Sequence, residues 1–252
     1  MRDRAAAGGR AKRLALAALM LLLVAVLTAL GIWQVERRAW KLDLIGRVEA
    51  RVNAEPAAPP SPADWAALAP GDAEYRNLRL EGRFETARPA LVQAVTERGG
   101  GDWVMAPFRT RQGFAVLVNR GFVPAGTRVD AIAPPPAGDT AVTGLLRLTE
   151  PKGGFLQSND PAADRWYSRD VEAIGASRGT MELAPYFVDA RSGAEGVPSG
   201  PAAVQPVGGL TVLRFPNNHL VYALTWFGMA ALALAGLVLV LRTGRKAAEP
   251  GA

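Results

Sequence analysis

Two long apolar segments lie near the ends of the chain and dominate its pattern of hydrophobic and polar positions. They cover residues 14–33 and 220–241, and neither contains a charged residue. A bilayer core about 30 Å thick is crossed by roughly 20 apolar residues in a helix, so each segment predicts a transmembrane helix. A cleaved signal peptide is the alternative for the first segment. Its apolar stretch exceeds the usual roughly 7–15 residues and no Ala-x-Ala site follows, which favours a retained span.

The region between the two spans predicts a β-rich domain. Apolar and polar residues alternate over 75–84, as in a half-buried strand, and 114–118 is a continuous apolar run typical of a fully buried one. Gln112-Gly113 predicts a hairpin turn before that run. Further short strands are predicted at 91–95, 103–109, 142–148, 186–188 and 210–215. About seven strands with one or two helices predict a β-rich α+β domain, with a small barrel as one arrangement.

Helices and linkers complete this organisation. Apolar residues at near-helical spacing over 34–52 predict that the first span continues as an amphipathic helix. Residues 170–178 predict a short helix, with Asp170 as its N-cap. Residues 55–62 and 191–206 are rich in Pro and small residues, which predicts linkers.

The net charge of +6 comes from the two short tails. Residues 1–13 and 242–252 are both basic, whereas the rest of the chain carries equal numbers of basic and acidic residues. Basic residues close to a span stay in the cytoplasm. Three of them follow the second span and only Arg214 closely precedes it, so both tails are predicted to be cytoplasmic. Residues 34–219 then form a domain outside the membrane, and no basic face for nucleic acid is predicted.

The residue counts exclude several kinds of site. The chain has no cysteine, one histidine and five scattered methionines. Disulfides, Cys-x-x-Cys redox sites, covalent c-type haem attachment and thiolate copper sites are therefore excluded. Zinc sites built from several histidines are excluded as well.

The single histidine lies where the second span begins. Asn217 and Asn218 predict a helix start, which places His219 in the first turn. At 100° per residue, Tyr222 and Trp226 share a helix face with His219, together with small residues that let a neighbouring helix or a flat ligand approach. An imidazole above an apolar aromatic wall can bind a haem iron axially. The alternative is an interfacial belt of aromatic residues with a histidine at the headgroups.

The end of the first span is predicted to lie at the same outer surface. Trp33 ends the apolar segment, and Arg37 and Arg38 follow one turn later. The arginines are candidates for pairing with carboxylates such as haem propionates. Membrane anchoring by interfacial Trp and Arg is the alternative.

Two further motifs carry weaker expectations. Gly175, Ser177 and Gly179 fit the G-x-S-x-G nucleophile elbow, but the preceding residues look helical and no histidine is available beside them, which argues against a serine hydrolase. Residues 119–124 predict a turn in which Gly121 suits a positive φ. Arg120 within it is expected to make a structural salt bridge, with partner binding as the alternative.

Four blocks of the chain resemble the surfeit locus protein one family of cytochrome oxidase biogenesis factors. They are residues 30–41 (beginning LGIWQ), 118–124 (VNRGFVP), 151–170 (PKGGFLQSNDPAADRWYSRD) and 216–228 (PNNHLVYALTWFG). The last block is the most specific, and the resemblance covers about residues 30–241.

The resemblance implies a membrane protein that assists assembly of a haem-A-containing terminal oxidase and is not an enzyme. It implies haem A as a transient ligand, with His219 as the candidate axial ligand, and the large oxidase subunit as a partner. The haem A synthesis machinery and membrane lipid are further expected partners. The first span begins by residue 14, which leaves no room for a long transit peptide and favours a bacterial inner membrane with a periplasmic domain.

Three hypotheses follow for the function. The first is a haem-handling assembly factor, and the second is a scaffold that holds oxidase subunits without touching haem. The third is an outward-facing enzyme that uses Ser177 or a carboxylate cluster.

Overall fold

A computed structural model describes residues 2–154, 156–193, 204–213 and 215–246. The chain divides into two compact units, one formed by Met1–Arg47 with Arg214–Ala252 and the other by Val48–Leu213. The first is helical and the second is β-rich. The predicted linker at 191–206 and the basic tails fall partly on residues 194–203, Met1 and 247–252, which lie outside the described residues.

The described residues contain four α-helices and six β-strands. The helices are α1 (Arg2–Asn53), α2 (Pro70–Ala73), α3 (Val171–Arg178) and α4 (His219–Lys246), with short 3-10 turns at Trp65–Ala67 and Val129–Ala131. The strands are β1 (Asn77–Phe84), β2 (Ala90–Thr96), β3 (Gly99–Thr110), β4 (Ala115–Pro124), β5 (Thr140–Leu148) and β6 (Leu183–Ala190).

Both predicted spans are helices of sufficient length. The membrane-compatible parts run over Arg10–Asn53 and His219–Thr243. Large apolar side chains on them point outward: Leu22 is 61% exposed and Leu232 is 75% exposed. A core helix of a soluble protein would bury such residues, so the exposed apolar surface indicates a membrane protein. The predicted continuation of the first span is confirmed, because α1 has 52 residues and is about 78 Å long.

Five strands close into a barrel, in the order β1-β5-β6-β4-β3 and back to β1. All neighbours are antiparallel except β4 and β6, which run parallel. The first half of β3 pairs with β2, and its last residues pair with β1 and close the ring. The predicted barrel arrangement is therefore confirmed.

The barrel interior is filled with apolar side chains from alternate positions of its strands. The cluster includes Leu78, Leu80, Phe108, Val118, Leu146, Tyr186 and Val188. Tyr186 is the largest of these, and its hydroxyl donates to the carbonyl of Pro60 at 3.0 Å. Burial raises the pKa of Tyr186 above its ordinary value.

Helix α3 covers part of the outer barrel wall. Ile174 and Val171 pack with Leu117, Phe187 and other apolar residues. The predicted cap is confirmed, because the Asp170 carboxylate accepts from the backbone N–H of Ala173 at 3.2 Å.

Two predicted elements were wrong. Residues 119–124 do not form a turn but continue strand β4. Gly121 has the expected positive φ of 131°, for a different reason: a Cβ there would lie 2.4 Å from the backbone of Val207. That segment pairs with Phe122, whose N–H donates to the Val207 carbonyl at 3.0 Å. The predicted strand at 210–215 is absent among its described residues. Thr211 contacts the sheet through its side chain, which donates to Asp189 at 3.1 Å.

Candidate functional site

Helix α4 begins at the predicted position. Its first residue is His219, and the N–H of Tyr222 donates to the carbonyl of Asn218 at 3.2 Å. Pro216 cannot donate a backbone hydrogen bond, which suits the segment just before a helix. The only imidazole of the protein therefore stands at the N-terminal end of an apolar helix, half-buried.

The side chain of His219 contacts α1 through Gln34. The imidazole Nδ1 lies 2.7 Å from the Gln34 amide oxygen. Gln34 is only 9% exposed, although it follows an apolar segment directly. This hydrogen bond joins the C-terminal end of the first apolar segment to the start of the second.

Small residues bring α1 and α4 close together. Gly31 lies against the ring of Phe227, where an added Cβ would approach Cε1 to 2.4 Å. At the other end of the pair, Gly236 lies near Met20. Residue numbers rise along α1 as they fall along α4, so the two helices run antiparallel.

The small-residue face of α4 is covered by a helix. Ala223 and Ala230 are 2% and 6% exposed, respectively. Of the two occupants allowed by the sequence pattern, a neighbouring helix or a flat ligand, the neighbouring helix α1 takes this face. The predicted aromatic residues lie to its side: Tyr222 is 55% exposed and Trp226 is half-buried.

The predicted residues at the end of the first span do not meet His219 in the described contacts. Trp33 is 52% exposed and lies 100° around α1 from Gln34. Arg37 stacks over the Trp40 ring at 3.9 Å, and Arg38 is half-buried. Neither arginine forms an ion pair with any residue that the structure describes, so both guanidinium groups remain available to an anion.

His219 is a single protein ligand, so it suits a metal whose other ligands come from a prosthetic group. Within the described part of the chain, no three His, Asp or Glu side chains cluster as a metal site. A bare zinc or copper ion needs several protein ligands. A haem iron carries four ring nitrogens and requires one axial imidazole. The arrangement at His219 therefore fits a haem better than a free ion.

Sequence reasoning missed Gln34. Its type and position could have indicated the contact, because a buried amide at the end of an apolar helix usually hydrogen-bonds across to a neighbouring helix.

Sequence reasoning also missed a buried charge network in the β-rich unit. Asp189 on β6 is 5% exposed and accepts from Asn119 at 2.8 Å and from Arg169 at 3.2 Å. Arg147 and Thr211 also donate to this carboxylate, at 3.5 and 3.1 Å, respectively. Because Thr211 belongs to the segment beyond the sheet, this network fastens that segment to the barrel wall.

The central sequence block therefore has a structural role. Arg120 is 4% exposed and donates to the carbonyl of Ala133 at 2.9 Å, so the alternative of an exposed partner-binding arginine is wrong. Asn119 holds Asp189 and also accepts from the N–H of Gly121 at 3.1 Å.

The Ser177 motif does not form a nucleophile elbow. Ser177 lies inside α3, and its hydroxyl donates to the carbonyl of Ile174 at 2.7 Å. Gly179 ends the helix in a left-handed conformation with φ of 67°. The strand-to-helix turn that the elbow requires is missing here, because Ser177 and the residues before it are helical.

Known proteins resemble this chain over most of its length. A sequence model of the SURF1 family matches residues 21–231, which include Gln34 and His219. Surfeit locus protein 1 of Homo sapiens is 36% identical over 234 residues, covering 84% of this chain and 73% of the human protein. The Rattus norvegicus protein of the same name is 35% identical, with 84% and 71% covered. A SURF1-like protein of Monosiga brevicollis is 35% identical, with 89% and 87% covered.

Proposed function

Because this chain belongs to the SURF1 family, whose members are cytochrome oxidase assembly factors, we propose that it assists assembly of a haem-A-containing terminal oxidase by binding haem A through His219. In this role the protein is a carrier and not an enzyme. It hands haem A to the large oxidase subunit, and it receives haem A from the membrane or from the haem A synthesis machinery.

One observation carries the proposal. The imidazole of His219 stands half-buried at the start of an apolar helix, and its Nε2 has no hydrogen-bond partner among the described residues. A neutral imidazole nitrogen in this setting is a good axial ligand for haem iron. The long apolar sides of α1 and α4 suit a macrocycle that is itself soluble in hydrocarbon.

The neighbouring residues fit the rest of the ligand. Tyr222 and Trp226 offer aromatic surface beside His219 on α4, and Trp33 offers it on α1. Arg37 and Arg38 stand one turn beyond Gln34, where a guanidinium can pair with a haem propionate.

We further propose that the helical unit lies in a bacterial inner membrane, with the β-rich unit in the periplasm. The basic residues that follow the second span support cytoplasmic tails. The named relatives are eukaryotic, so an organellar membrane is the alternative location. Epitope tags on the two ends test this orientation: both tags should be inaccessible from outside intact cells, and an accessible tag at either end would overturn it.

A haem-independent scaffold is the second candidate. The small-residue face of α4 is already covered by α1, with Ala223 at 2% exposure. A flat ligand must therefore bind to the exposed side of the helix pair and not between α1 and α4. In this alternative the two helices and the barrel hold oxidase subunits together, and His219 serves only the contact with Gln34.

The absorption spectrum of the purified full-length protein, produced together with haem A synthesis, tests the proposal. The wild-type protein should carry haem A, and His219→Ala should lose it. Leu220→Ala is the matched control, because Leu220 is the next residue on the same turn and is exposed. Circular dichroism checks that all three proteins keep their helices. A wild-type protein without haem, or a His219→Ala protein with an unchanged haem spectrum, would favour the scaffold.

A further inference from the structure

We propose, on the basis of the haem-binding role proposed for His219, that Gln34 is a positioning residue for that histidine. Its amide oxygen accepts the Nδ1 hydrogen, which leaves the lone pair for iron on Nε2 and fixes the plane of the ring. Gln34 thus acts through His219 and does not itself touch the ligand.

The geometry determines which nitrogen carries the proton. A neutral imidazole has one N–H donor and one acceptor nitrogen. Nδ1 faces the carbonyl-type oxygen of Gln34 at 2.7 Å, and that oxygen can only accept. A hydrogen bond at this contact requires the proton on Nδ1, which leaves the acceptor lone pair on Nε2.

The position of Gln34 is itself fixed. It is 9% exposed and belongs to the continuous helix α1. One turn earlier Gly31 lies against Phe227, which holds the two helices at a short separation beside the hydrogen bond. The amide therefore approaches the ring from a rigid element, so the ring is oriented before any ligand arrives.

A hydrogen bond to the far nitrogen of a ligating histidine does two measurable things. It orients the ring, and loss of such a partner costs roughly 10- to 100-fold in affinity. It also raises the basicity of the ligating nitrogen, which favours ferric iron. A bond that only joins two helices would act through helix packing and would leave the electronic state of the iron unchanged.

Three substitutions at Gln34 separate these roles. Gln34→Leu removes the acceptor. Gln34→Asn keeps a polar amide but withdraws it by one methylene, and Gln34→Glu keeps an acceptor oxygen at the original length. Phe227→Leu is the matched packing control, because it changes the side chain that lies against Gly31, adds no atom between the helices and leaves Gln34 and His219 in place.

Each full-length protein would be purified in detergent with haem A. The haem reduction potential and the rate of haem loss to excess apomyoglobin would then be measured. Gln34→Leu and Gln34→Asn should raise the reduction potential and weaken haem retention by roughly 10- to 100-fold. Gln34→Glu should retain haem and lower the potential below the wild-type value, because a carboxylate is a stronger acceptor than an amide. Phe227→Leu should keep the wild-type potential.

Two results would overturn the positioning role. One is an unchanged potential and retention in both Gln34→Leu and Gln34→Asn. The other is a Phe227→Leu protein that reproduces their shift, since the effect would then come from helix packing and not from the hydrogen bond. Failure of the proposed haem-binding role would give a different result. The wild-type protein would then carry no haem, or His219→Ala would leave the haem spectrum unchanged.

Discussion

Substitution of Asp189 should cost the β-rich unit about 3 kcal/mol. The carboxylate is 5% exposed and accepts from Asn119 and Arg169 at 2.8 and 3.2 Å. Removal of one partner from a buried charge pair costs about 3–5 kcal/mol, because the remaining charge stays buried without compensation. The lower end of this range is expected for Asp189→Asn, because both arginines keep another carboxylate partner. Arg169 keeps its contact with Glu150, and Arg147 keeps Glu74.

Thermal unfolding of the full-length protein in detergent measures this effect. For a domain of this size, about 3 kcal/mol corresponds to a fall in Tm of roughly 6–12 °C. Glu81→Gln is the matched control, because Glu81 pairs with Arg79 where both side chains are about half exposed. Such an exposed pair contributes under about 1 kcal/mol. Equal Tm shifts in the two variants would refute the idea that burial makes the Asp189 network stabilising.

Two further outcomes are expected in the β-rich unit. Gly121→Ala should loosen the segment around Val207, because the added Cβ would lie 2.4 Å from the Val207 backbone and residue 121 has a φ of 131°. Hydrogen exchange should then speed up at the Phe122 amide. Unchanged exchange at this amide would contradict the close approach. Burial acts to raise the pKa of Asp164, but hydrogen bonds from Arg178 at 2.5 Å and Trp166 at 2.7 Å lower it below its usual value. The stability this provides is present above the unfolded pKa near 4 and is lost as the pH falls through the lower folded value. Asp164→Asn should therefore flatten the decline of unfolding free energy in acid, and a parallel decline in both proteins would argue against this assignment.

The elements with a strong local pattern were predicted well. The two spans needed only uninterrupted apolar length, and the strand at 75–84 needed only alternation. The cap at Asp170 was also readable, because the carboxylate and the N–H that it accepts from are three residues apart.

The features that depend on distant residues were not predictable in the same way. Gly121 was assigned to a turn because its neighbours do not reveal that Val207, far along the chain, would lie against it. Asp189 gives no sequence signal for the arginines that surround it. Gln34 and His219 are 185 positions apart, so the hydrogen bond between them follows from helix packing that no local pattern encodes.

The parallel pairing of β4 with β6 sets the order in which the barrel can be completed during synthesis. Strand β6 lies between β4 and β5, so the wall has a gap until Ala190 has left the ribosome. Until then, the edges of β4 and β5 are open, and apolar residues such as Val118 and Leu146 lack their final cover. Only 28 residues separate the end of β6 from the start of α4. The chain therefore completes the barrel's last strand only a short stretch before it begins the second apolar helix.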